Sequence, residues 1–91
     1  MSEYHAAIHA CAERYRDMQL GNGASCDDPL WKFTHELMFG CRDGFPIMKL
    51  NRWLGYIQGV LIERGLTTVQ AERDWSRPIF RPLDFPSKAA T

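Results

Sequence analysis

The run Lys49-Leu50-Asn51-Arg52-Trp53-Leu54-Gly55-Tyr56-Ile57-Gln58-Gly59-Val60-Leu61-Ile62-Glu63-Arg64-Gly65 constrains the fold most, because its apolar residues recur with helical period and it closes on a glycine suited to ending a helix. Ile47, Leu50, Leu54, Ile57 and Leu61 form the main stripe, flanked by Trp53 and Val60. A helix from about Pro46 to Arg64 is predicted, ~27 Å long at 1.5 Å per residue, with a wide apolar face. It reads as the central helix of a small bundle. Gly55 and Gly59 stand four apart on one side of it. Each costs about 1 kcal/mol relative to alanine, so the pair predicts close packing against another backbone or a ligand.

The remaining elements are also helical in pattern. Ser2 and Glu3 make a helix start, after which Tyr4, Ile8, Cys11, Tyr15 and Met18 recur at alternating spacings of four and three up to Gly21, a rhythm that suits one neighbour at a shallow angle. Asp28-Pro29 restarts a helix, since the carboxylate can cap and proline supplies a preset first residue. That helix is predicted to reach about Phe39, with Trp31, Leu30, Phe33, Leu37 and Met38 dense enough to leave little of its circumference polar, before Gly40 and Asp43-Gly44-Phe45-Pro46 break the pattern. Thr67-Thr68-Val69-Gln70 offers a capping box for a short fourth helix ending at about Arg77. From there Pro78, Pro82 and Pro86 predict an extended arm. The expected fold class is therefore all-α: a small helical bundle of three main helices, a short fourth and a proline-rich C-terminal arm. Residues 1–86 are expected to form one domain and Ser87 to Thr91 a frayed tail.

With 91 residues, 45% of them hydrophobic and 24% charged, the chain has the composition of a folded domain, yet scaling of surface with mass allows it to bury only roughly 60 to 68% of its extended surface. Trp31, Trp53, Trp75, Phe80 and Phe85 exceed what so small a core hides comfortably, which predicts a homo-oligomer or another partner. Eleven basic and eleven acidic side chains cancel, so no global field favours nucleic acid or an acidic membrane. The longest wholly apolar run is Val60-Leu61-Ile62, far short of the ~20 residues of a membrane span. Cys11, Cys26 and Cys41 leave one thiol over in any monomeric disulfide scheme, and no charged start leads into an apolar signal core, so a reducing cytoplasm is expected.

No catalytic constellation stands out, and a non-enzymatic role is expected. His5 and His9 are one helical turn apart with Glu13 continuing the row, but a zinc site requires more ligands than this row secures. Cys26, His35 and Cys41 lack the close paired spacing of a structural zinc site. Asp27 and Asp28 are explained by capping, and no phosphate-cradling glycine loop is present. Arg73 and Arg77 lie one turn apart with Arg81 just beyond Pro78. Like charges at that spacing repel, so acids should lie near them, and pairing with Glu72, Asp74 or Asp84 is expected. The functional alternative is an anion site with Lys49 and Arg52 as further donors and Trp53, Tyr56 or Trp75 as stacking surfaces. The candidate binding residues for protein or anion are thus Arg52, Trp53, Tyr56, Arg73, Arg77, Phe80 and Arg81, with no cofactor and no metal among the expectations.

The segments Asn51-Arg52-Trp53-Leu54-Gly55-Tyr56-Ile57-Gln58-Gly59-Val60-Leu61, Glu72-Arg73-Asp74 and Arg77-Pro78-Ile79-Phe80 resemble small accessory proteins of tailed bacteriophages, over about residues 47–81. The resemblance implies a setting, the cytoplasm of an infected bacterium, and no catalytic residues. It implies a protein that binds and inhibits or redirects a bacterial host or defence protein, acting through the arm and the face of the third helix. The alternative expectation is an oligomeric module that sequesters a small anionic ligand, such as a nucleotide signal, with Arg52, Arg73 and Arg77.

Overall fold

The computed structural model describes residues 1–86, which form four α-helices and their turns without a strand among them: α1 (Glu3–Gly21), α2 (Pro29–Asp43), α3 (Ile47–Glu63) and α4 (Val69–Asp84). Local chemistry accounts for most boundaries. Ser2 Oγ accepts from the His5 amide at 3.2 Å to start α1, Asp28 accepts from the Leu30 amide at 2.9 Å ahead of Pro29, and Thr68 accepts from the Ala71 amide at 3.1 Å to start α4. The reciprocal half of the expected capping box is not formed, because with Thr68 as the cap the third helical residue is Ala71, which has no side-chain acceptor, and Gln70 donates forward to Asp74.

Gly40 does not end α2; that helix continues to Asp43 and is closed by Gly44 in the left-handed region at φ 76°. Gly40 is buried instead, and a Cβ on it would stand 2.9 Å from Leu50 and 3.0 Å from Phe45, so its missing side chain lets α3 and the turn close onto α2. Only one face of α2 is buried, through Leu30, Thr34, Leu37, Met38 and Cys41, while Lys32, His35, Glu36 and Phe39 remain exposed.

The central helix is α1 rather than α3. It packs on all three others, whereas α3 packs on α1 and α2, and α4 packs on α1. Ala7, Cys11 and Ala12 are buried with Ile8 and Tyr15, and these small side chains let helices approach α1 from several directions. The common core joins Ile8, Cys11, Tyr15, Leu37, Leu50, Ile57 and Leu61.

The largest departure from expectation is at the C-terminal end. Instead of a short helix ending at Arg77 and an extended arm, α4 runs sixteen residues and carries Pro78 and Pro82 inside it. Proline removes an amide donor and normally breaks a helix interior. Here both prolines and Asp74 lie on the exposed side of the helix, where the carbonyls of Asp74 and Pro78, which would have received the missing amides, belong to residues open to solvent. On the opposite side Glu72, Trp75, Ser76, Ile79, Phe80 and Leu83 are wholly or partly buried at the spacing of a single helical stripe, and packing of that stripe on α1 holds the helix together. The fraying expected of Ser87 to Thr91 lies outside the described residues.

Candidate functional site

Two features of the structure bear chemistry: a buried polar hub between α1 and α4, and an aromatic face on α2 and α3. In the hub the Glu72 carboxylate, 2% exposed, accepts from Arg14, from the Tyr15 hydroxyl at 2.7 Å and from the Thr67 hydroxyl at 2.5 Å. Gln58 donates to the Tyr15 oxygen at 3.1 Å, which ties α3 into the same network. The Arg14 guanidinium also lies over the Trp75 ring, 4.9 Å from its centroid. Burial pushes the Glu72 carboxyl up, and the hydrogen bonds from Arg14, Thr67 and Tyr15 outweigh it, holding the group below the usual carboxylate range. Burial and the adjacent Glu72 raise the Tyr15 phenol in turn. With the Glu72 carboxylate buried and held by three donors, this network fastens α4 to α1.

Among the described residues, no three His, Cys, Asp or Glu side chains gather closely enough to hold a metal. The His5 ring bridges the Phe45 carbonyl, 2.8 Å from Nε2, and Ser2 Oγ, 2.6 Å from Nδ1, while His9 Nδ1 meets Glu13 at 3.0 Å, so the two imidazoles have separate partners. Burial raises the thiols of Cys11 to about 12 and Cys41 to about 11, which keeps both protonated and poor nucleophiles.

The aromatic face is built by helical spacing on two adjacent elements. Tyr56, Phe33, Trp53, Phe45 and Phe39 form an unbroken ladder with neighbouring centroids 5.7, 5.2, 6.1 and 6.4 Å apart, mostly edge to face. Its middle rings, Phe33, Trp53 and Phe45, rest on the core from outside; its ends are open, with Tyr56 62% and Phe39 60% exposed. A surface depression of about 430 Å³ lies at the Phe39 end between Lys32, His35, Glu36, Phe45 and Trp53. A second, of about 390 Å³, lies at the other end beside Leu30, Phe33, Tyr56 and Val60, bordered by the Arg64–Asp28 pair at 3.2 Å. Lys49 Nζ stands over both Phe45 and Trp53, 5.3 and 5.2 Å from their centroids. Among the described residues Lys32, Lys49 and Arg52 make no ion pair.

The candidate binding residues therefore divide. Trp53 and Tyr56 belong to the ladder and Arg52 stands beside them on the outer side of α3, whereas Arg73, Arg77 and Arg81 form an exposed row on α4, and Phe80 is half-buried against the core. The structure thus gives Arg52 and the α4 arginines separate supports, α3 resting on α1 and α2 and α4 on α1. The expected pairing of the α4 arginines is not found among the described residues: Glu72 is taken by Arg14, Asp74 accepts from Gln70, and Asp84 accepts from Tyr4. Close packing on Gly55 and Gly59 is also not found, since a Cβ on either would meet nothing within 4 Å. The sequence does not single out Phe39, Phe45 or Lys32 for this face, and it offers Lys49 only as a donor to an anion site. The α2 signal is visible as Lys32, Glu36 and Phe39 on the side opposite Leu30, Leu37 and Cys41, but Phe45 and Trp53 come beside them only through the turn Gly44 to Pro46.

No helix among the described residues is long and apolar enough to cross a membrane. Comparison with protein-family models, curated proteins and solved structures gave no match to this chain.

Proposed function

We propose that the chain is a non-enzymatic protein-binding module whose docking surface is the aromatic face of α2 and α3. The observation that carries this reading is the five-ring ladder, open at Phe39 and Tyr56 and flanked by two depressions, because aromatic anchors beside desolvated pockets are the usual centres of protein interfaces. In the setting implied by the bacteriophage resemblance, the partner is a bacterial host or defence protein met in the host cytoplasm. The test is a pull-down from bacterial lysate with the wild type and with a Phe39→Ser/Tyr56→Ser variant whose circular dichroism and melting are unchanged. A protein retained by the wild type and lost by the variant supports the reading. Equal retention, or none by either, overturns it.

The row Arg73, Arg77 and Arg81, without an ion pair among the described residues, favours a second reading, a module that sequesters a small anionic ligand on α4. Calorimetry with a panel of nucleotides decides it: heat that vanishes in Arg73→Ala/Arg77→Ala supports anion binding, and no heat removes it. Self-association belongs to the same proposal, with Phe85 75% exposed at the end of α4 as its apolar contact. A monomer by light scattering at micromolar concentration would remove that part.

A further inference from the structure

Resting on the α2–α3 docking reading, we infer that the occupant of this face is an amphipathic helix of another protein that presents apolar anchors flanked by acidic side chains. Shape argues for a helix. α2 and α3 are joined by the short turn Gly44 to Pro46, and α1 fills one side of the pair through the common core. The ladder lies between two surface depressions at its ends, an elongated apolar strip of the kind that the stripe of an amphipathic helix covers. The outer flank of α3 beside Tyr56 carries Gly55 and Gly59, both exposed with open space in front of them, so a backbone can come close there.

Charge argues for acidic flanks. Lys32 on α2 lines the depression at the Phe39 end and Lys49 on α3 lies over the rings, both without an ion pair among the described residues, and Glu36 is the acid that joins them there. Asp28, at the far end, is already held by Arg64. Lys49, though exposed, lies over Phe45 and Trp53 and so places its charge directly above the rings. A second copy of the chain fits poorly, because a twofold interface centred on the ladder would bring these cations against themselves, and like charges across an interface oppose binding. An acidic helix instead satisfies each of them while its apolar stripe covers the open rings.

The experiment is selection from a displayed library of helical peptides with fixed apolar positions at i, i+3, i+4 and i+7 and fully randomised flanks, using the whole chain as bait and the Phe39→Ser/Tyr56→Ser variant for counter-selection. The expected result is enrichment of Asp and Glu at the flanks, with the best synthetic peptide bound about tenfold or more weakly by Lys32→Glu/Lys49→Glu and more weakly as salt rises. Peptides that need Phe39 and Tyr56 but show no acidic excess overturn the charge inference and leave the docking surface standing. No enrichment dependent on Phe39 and Tyr56, or a wild-type dimer that Tyr56→Ser dissociates, overturns the docking surface itself.

Discussion

The Tyr15 hydroxyl donates to the Glu72 carboxylate at 2.7 Å, joining α1 to α4 across 57 positions of sequence. Arg14, the next residue on α1, meets the same carboxylate, so two consecutive side chains of the central helix hold one acid of the last. Removing one partner of a buried pair leaves an uncompensated charge or donor. Glu72→Gln is expected to lower stability by about 3 kcal/mol in urea denaturation. A double-mutant cycle with Tyr15→Phe should then show a coupling of about 1 kcal/mol or more, since both changes touch one network.

The same carboxylate sets an acid limit. Its folded pKa is depressed, so its contribution is complete above the ordinary value of 4.5 and disappears as the pH falls through the lower folded value. Wild-type stability should therefore fall as the pH drops below about 4.5, and Glu72→Gln should lack this component of the fall. Urea midpoints across a pH series check the difference.

Pro78 and Pro82 distinguish a helix from an arm. In an exposed helix interior proline is worse than alanine by about 3 kcal/mol, part of which is offset because alanine loosens the unfolded chain. Pro78→Ala is expected to stabilise the protein by about 1 to 2 kcal/mol and to increase helical circular dichroism. In an extended segment the same change would leave both unaltered.

Three glycines predict opposite outcomes. Gly55 and Gly59 are helical with open space around them, so alanine at either should raise stability by up to about 1 kcal/mol. Gly40→Ala drives a methyl into Leu50 and Phe45 and should cost about 1 to 3 kcal/mol. Thermal unfolding of the three variants reads the signs directly.

The cysteines should react unequally. Cys26 is exposed, whereas Cys11 and Cys41 are buried with thiols raised to about 12 and 11. A thiol reagent at pH 8 is expected to modify Cys26 rapidly and the other two only as fast as the chain opens, which mass spectrometry of timed samples will show.

Helix type and most starts were legible because they depend on neighbours in sequence: the α1 and α3 stripes, the caps at Ser2, Asp28 and Thr68, and the stop at Gly65 with φ 77°. These signals act within one turn of backbone. The aromatic face was legible in half, since Trp53 and Tyr56 stand on the strongest helix, while Phe39 and Phe45 join them only once α2 passes Gly40 and folds back.

By itself the sequence determined an all-helical chain, because apolar spacing and capping chemistry are local and few alternatives share them. Tertiary structure alone decided that α1 is the hub, that α4 continues through two prolines, and that Glu72 belongs to Arg14 and Tyr15 rather than to its neighbouring arginines. Each of these turns on which faces meet. Burial of the α4 stripe against α1 outweighs the lost amides of Pro78 and Pro82, a balance no window of adjacent residues contains.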